Sequence, residues 1–485
     1  MISALALMLG SCVGEDKAPA SGGARQSDPK VMRLIDDADA AIANGALADA
    51  GRTLDEARNL SPDDPDVWVA IARLRFRGGE HLTALEAADR ALALGPDYAP
   101  ALLMRAFMVR DAHGPAAALP WFEAALAADP DNPDVWAEYA ATLGDSGRSR
   151  AMLRAARKLA QIAPDDARAL YFQAVLAARG GNPSLARSLL VRSGMAARGV
   201  PAAMQLDGVL SLAEDNPDSA AATFAALSAR QPANTRLREL LARALLMGGR
   251  DVELVAQFAD EAQRAEASPF LMMITARAYE RMGDRARAAP LLARAYGGAG
   301  KVPVVLADRA GLPPPTAAIR QKASAANWRG AQAETQDLRR RFPASADVAN
   351  LAGDALLGLG DLRGALESYA LTARVRRPWP LTRKVVFASR RAGDGEAADT
   401  LLARHVAGEP LALSGLAELA QAQAARGDWV RAAALLDQVI TMGGGHDPAV
   451  LTLRIKTASA LGRPADARQF AKLLAQIRPR RLAQR

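Results

Sequence analysis

Four histidines, one cysteine and a few paired acids are the side chains with chemistry to offer. His81, His113, His405 and His446 stand far apart and show no ligand spacing. Cys12 is the only thiol, so neither an intrachain disulfide nor a thiolate zinc cluster can form. No nucleophile elbow and no His-based metal motif occurs. Gly78-Gly79 and Gly443-Gly444-Gly445 lack the lysine and the strand context of a phosphate-cradling loop. Asp63-Asp64 and Asp165-Asp166 fall just ahead of helix starts, where a carboxylate accepts free backbone N–H groups, so they read as caps rather than an acid/base couple. The expectation is a protein that is not an enzyme, with no cofactor and no metal site.

Cys12 has a second reading. Ile2 to Gly10 is an apolar run, shorter than the roughly 20 residues a membrane-spanning helix needs, and it fits the hydrophobic part of an export signal. It ends in Leu9-Gly10-Ser11-Cys12, which resembles the lipobox of bacterial lipoproteins. That resemblance implies cleavage before Cys12, a diacylglycerol on its thiol, and a body facing the periplasm from the outer membrane. No Lys or Arg precedes the apolar run, a departure from the usual signal peptide. Gly14 to Pro29 is polar and rich in Ala, Gly, Ser and Pro, and reads as a tether. The competing reading is a cytosolic protein with a free thiol in a frayed N-terminus.

These sparse groups sit on a chain organised by a period of thirty-four residues. Ala38, Ala72, Ala106, Ala140, Ala174, Gly208, Ala242 and Ala276 share one register of small residues. Seven residues on come Gly45, Gly79, His113, Gly147, Gly181, Asp215, Gly249 and Gly283, mostly turn formers. A third register holds Ala50, Ala84, Ala118, Met152, Ala186, Ala220, Leu254 and Ala288, and a fourth holds Pro62, Pro96, Pro130, Pro164 and Pro232. Apolar residues recur at helical spacing in both halves of each unit, which predicts helical hairpins with one small packing residue per helix. The composition agrees: half the residues are hydrophobic, with Ala and Leu in excess, favouring helix over sheet. The net charge of +8 permits an acidic partner and is equally the mark of a solvated surface.

With large residues early in the first helix (Trp68, Leu102, Trp136, Leu170, Met204) and bulky ones late in the second (Leu54, Phe122, Leu190, Phe224, Phe258, Leu292), the pattern is similar to the tetratricopeptide repeat. The resemblance implies an all-α, right-handed superhelical solenoid. Arg198, Leu254 and Glu266 depart from it, so their units should be the least regular. The register fails between Gly297 and Thr316, around Pro313-Pro314-Pro315, marking a hinge or a degenerate unit helical over Val304 to Ala310. It resumes with small slips at Ala331, Ala365, Ala398, Ala432 and Ala467. The organisation expected is a signal peptide over 1–11, a tether over 12–30, eight repeats over 31–302, a linker over 303–311, five repeats over 312–481, and a basic tail over 482–485.

What remains for function is surface. In tetratricopeptide arrays the first helices line a concave groove that holds peptide segments. Helical spacing from the small residues assigns to that face Arg73, Phe76, Arg77, Phe107, Arg110, Tyr171, Arg179, Arg243, Arg277, Arg281, Arg383, Phe387, Arg390 and Arg391. Arginine exceeds acid there, and guanidinium forks pair with carboxylates and stack on rings. The expectation is a scaffold that binds a protein or peptide, acidic in character, for an export, pilus-assembly or exopolysaccharide machine. An anionic polysaccharide in the same groove is the second reading, a cytosolic adaptor the third. The basic tail reads as solvated rather than as a nucleic-acid contact.

Overall fold

The computed structural model describes residues 28–232, 234–264, 267–296 and 316–477. Among these the architecture is all-α, with sixteen α-helices from Pro29 to Tyr296, ten from Ala317 to Ile477, and no strand. Helices pack in consecutive antiparallel-type pairs, such as Pro65–Arg77 on His81–Leu94 and Ala99–His113 on Pro115–Ala128. The lipobox, the hinge and the basic tail lie outside the described residues.

The four registers explain how each pair forms. Ala38, Ala72, Ala106, Ala140, Ala174, Ala242 and Ala276 are fully buried, and so are Ala50, Ala84, Ala118, Ala186 and Ala220. At Gly208 even a methyl group would sit 2.7 Å from the ring of Phe224, so a smaller residue serves there. Larger groups fill the remaining volume: Leu54, Phe122, Leu190 and Phe224 are at most 1% exposed. Gly79 turns the chain at φ +80°, a conformation that costs a side-chain-bearing residue about 1 kcal/mol or more, and the other register glycines share it. Asp215, in the same register, adopts φ +56° without that freedom.

Repeat boundaries are tied by one recurring hydrogen bond. The indole N–H of Trp68 donates to the Pro62 carbonyl at 2.7 Å, and Trp136 donates to Pro130 at the same distance. Arg238, in the same register, donates to Pro232 at 2.9 Å. Each bond holds a first helix against the end of the preceding unit. The paired acids act as caps: Asp64 accepts from the backbone of Asp66, and Asp166 from that of Arg168, both at 2.9 Å. The irregularity anticipated at Arg198 is present. The helix before it, Pro183–Ser193, is short and stops at Gly194, followed by a run of turns. Leu254, by contrast, sits fully buried inside the regular helix Asp251–Gln263.

The described residues form two compact units. One comprises 170–296 and 410–477, where the rings of Phe270 and His446 meet edge to face at 6.4 Å. The other comprises 28–169 and 316–409, and it contains the site considered next.

Candidate functional site

The first-helix residues chosen by spacing divide into three groups. Arg73 reaches Asp39 at 2.6 Å, Arg110 reaches Glu138 at 2.8 Å, and Arg277 reaches Glu280 at 2.6 Å. Arg281 lies 3.5 Å from Asp251, and Arg390 lies 3.1 Å from Asp399. These five have their charge largely matched within the protein. A second group presents cation and ring together. Arg110 sits over Phe107 at 5.0 Å, Arg391 over Phe387 at 5.7 Å, and exposed Arg77 follows half-buried Phe76. Arg179, Arg243 and Arg383 are half-buried. Tyr171 forms the third: it is fully buried against Phe172, a core position that periodicity cannot tell from a groove position when the next repeat covers it. Aligned faces of this kind can hold a polypeptide segment, although the basic excess is smaller than the sequence implies.

Periodicity gives no sign of a second feature, a seam inside the 28–169/316–409 unit. The turn after Ala99–His113 meets the C-terminal end of Gly395–Gly408. Main-chain bonds cross it: Leu82 N–H donates to the Ala344 carbonyl at 3.2 Å, and Arg377 N–H to the Asp111 carbonyl at 2.9 Å. Gly114 has φ +91° and ψ 166°, a region open to glycine almost alone. A methyl group on Gly114 would stand 2.6 Å from the Gly408 carbonyl oxygen, and one on Gly408 would run into the His113 carbonyl. Two backbones touch here because neither residue has a side chain. The register held a clue, since His113 stands where most other units have glycine and the turn shortens to Gly114 alone.

Beside this contact lies a cavity of about 410 Å³, lined by Ala112, His113, Ala116, Ala117, Arg377, Arg404, His405, Ala407, Gly408 and Glu409. His405 is 5% exposed, and its ring stacks on Trp379 with centroids 4.9 Å apart. Burial, and then the charge of Arg377, lower its pKa to about 4, so the ring is neutral at pH 7. Its Nδ1 lies 3.7 Å from Glu409, whose pKa burial raises to about 6. His113 is lowered by partial burial and by Arg377, Arg105 and Arg404, and Arg377 is lowered by burial and by Arg404. Two buried nitrogens, Arg377 Nε and His405 Nε2, have no hydrogen-bond partner among the described residues. No group of three or more His, Cys, Asp or Glu with metal-holding geometry occurs among the described residues.

A second buried charge cluster lies nearby in sequence. Lys384 Nζ contacts Asp354 at 2.6 Å, and the Tyr369 hydroxyl donates to the same carboxylate at 2.6 Å. Burial and Asp354 together raise the Tyr369 pKa, keeping it a donor. The three side chains come from Ala346–Leu359, Leu362–Ala373 and Trp379–Arg391, so this network belongs to ordinary hairpin packing.

A family model described as Tetratricopeptide repeat matches residues 35–99 and 135–194. Within those two stretches the chain matches tetratricopeptide repeats. No curated protein matches the chain. Among solved structures it is similar to a tetratricopeptide repeat protein from Parabacteroides merdae, at 17% identity over 56% of this chain and 93% of that one, with TM-score 0.29. Pseudomonas aeruginosa pilF gives 18% identity over 48% and 93%, with TM-score 0.31. Human IFIT1, solved as a dimer with PPP-AAAA, gives 15% over 71% and 84%, with TM-score 0.42.

Proposed function

We propose that this protein is a non-catalytic interaction scaffold, anchored by lipid at Cys12 in a bacterial envelope. There it orders a protein or peptide partner of an export, pilus-assembly or exopolysaccharide machine. The observation that carries the scaffold reading is the array itself. It repeats one helical hairpin throughout the described residues, with family-model matches over 35–99 and 135–194. Such an array offers extended surface and positions what binds it. The first-helix face supplies the contacts: exposed Arg77 beside Phe76, Arg110 on Phe107 and Arg391 on Phe387 suit a segment with carboxylates and rings. The anchor rests on Leu9-Gly10-Ser11-Cys12 and on Cys12 being the only cysteine. No described helix is long and apolar enough to cross a membrane.

In-cell crosslinking followed by affinity capture tests both parts. The wild type should fractionate with membranes and incorporate labelled fatty acid, while Cys12→Ala should do neither. Replacing Arg73, Arg77 and Arg110 together should remove the crosslinked partner while helicity is retained. Wild type and Cys12→Ala both recovered as soluble cytosolic protein would establish the adaptor reading instead. Saturable, salt-sensitive binding of a uronic acid polymer to purified protein would establish the polysaccharide reading.

A further inference from the structure

We propose that the seam cavity is a binding site for a small oxyanion, a phosphate or carboxylate group held by Arg377 and Arg404. This goes beyond the scaffold reading and uses none of its first-helix residues. Three observations converge on it. The cavity, about 410 Å³, accommodates a ligand of several heavy atoms in addition to water. Two guanidinium groups line it together, near enough that Arg404 lowers the pKa of Arg377, so a negative charge between them would relieve a repulsion. A buried donor of a lining residue, Arg377 Nε, has no protein acceptor among the described residues. A buried donor without an acceptor is costly, and a bound oxyanion with several lone pairs supplies what the cavity lacks.

The ring of His405 packs on Trp379 with Nδ1 3.7 Å from Glu409, and it lines the cavity beside the two arginines. Among the described residues Glu409 is the one carboxylate lining the site, and it opposes an anion when ionised. Its raised pKa means that this opposition fades as pH falls through about 6. His405, lowered to about 4, adds positive charge only at still lower pH, and partial burial lowers His113 from its ordinary value. For an oxyanion whose own charge is constant, affinity should therefore rise on acidification from pH 7.5 to 5.5.

The test is calorimetric titration of the full chain with pyrophosphate and, separately, with malonate, at constant ionic strength. Saturable binding of one or both to the wild type is expected, weakened at least tenfold in Arg404→Gln and in Arg377→Gln. Arg404 is exposed, so its replacement leaves folding intact and keeps the test valid if Arg377→Gln proves unstable. Pyrophosphate alone binding identifies a phosphate ligand; malonate alone identifies a carboxylate. Failure of both probes at millimolar concentration overturns the proposal, as does equal affinity in wild type and Arg404→Gln. Neither result bears on partner capture by the first-helix face.

Discussion

Two buried charge clusters in one unit solve the same problem differently. Lys384, Asp354 and Tyr369 form a closed set, with the carboxylate receiving both an ammonium and a hydroxyl at 2.6 Å. Arg377, His405 and Glu409 form an open one, with two nitrogens unmatched. The closed set joins helices that follow one another along the chain, so repeat packing brings its members together. The open set lies where residues near 113 meet residues near 408, and two glycines allow the approach. Matched buried charge is part of what holds the hairpins, whereas an unpartnered buried arginine nitrogen beside a cavity points to something outside the protein.

The sharpest way to break this comparison is Lys384→Met. It removes the ammonium from the Asp354 carboxylate, which is 2% exposed, and should cost about 3–5 kcal/mol in urea unfolding, because the buried charge keeps its desolvation penalty without the attraction that offsets it. Lys384→Met with Asp354→Leu should recover most of that loss. A single variant within about 1 kcal/mol of wild type would show that water already reaches the pair.

The seam is tested next. Gly114→Ala should cost about 1–3 kcal/mol from backbone strain alone, with a collision against Gly408 in addition. Hydrogen exchange at the Leu82 and Arg377 amides should accelerate, since both donate across the seam. Gly79→Ala is the control: it has positive φ but nothing within 4 Å, so it should cost only about 1–2 kcal/mol and leave those amides protected. Equal exchange in the two variants would separate Gly114 from the seam.

Acid titration distinguishes the clusters through His405. Its folded pKa is depressed to about 4 from 6.5, so the folded state binds fewer protons in that window and loses stability as pH falls from 6.5 towards 4. At about 1.4 kcal/mol per pH unit the loss approaches about 3 kcal/mol. Glu409 acts with the opposite sign. Its raised pKa gives stability present below 4.5 and lost as pH rises through about 6, so acidification restores it. Its side chain is 35% exposed, so that contribution is discounted and the histidine prevails, leaving a net loss of about 1–2 kcal/mol. His405→Gln should flatten or reverse the slope and Glu409→Gln should steepen it, both read from midpoint denaturant against pH.

The smallest effect belongs to the surface. Arg73→Ala breaks a largely solvated pair with Asp39 and should change stability by about 1 kcal/mol or less. A larger loss would mean that the first-helix arginines hold the array together, and the face would then be a poor candidate for a partner site.

The hairpins were legible in the chain because their causes are local. A buried Ala every thirty-four residues, a glycine where φ must be positive and an Asp ahead of a helix each act within one or two units. The groove residues were legible only in part. Spacing places Arg73 and Arg110 on first helices, but their ion pairs with Asp39 and Glu138 depend on side chains about thirty residues away, and Tyr171 is covered altogether. The pocket was legible only as an anomaly, His113 in a glycine register, with nothing to connect it to His405.

By itself, then, the sequence determined the repeat, its turns and caps, and the small residues that set helix spacing, since each follows from periodicity and backbone preference. Only the tertiary structure decided that Gly114 rests on Gly408, that His405 is neutral and stacked on Trp379, and that two arginines share one cavity. Those facts arise where segments nearly 300 residues apart come together, and desolvation and charge proximity there depend on a distance that no local pattern encodes.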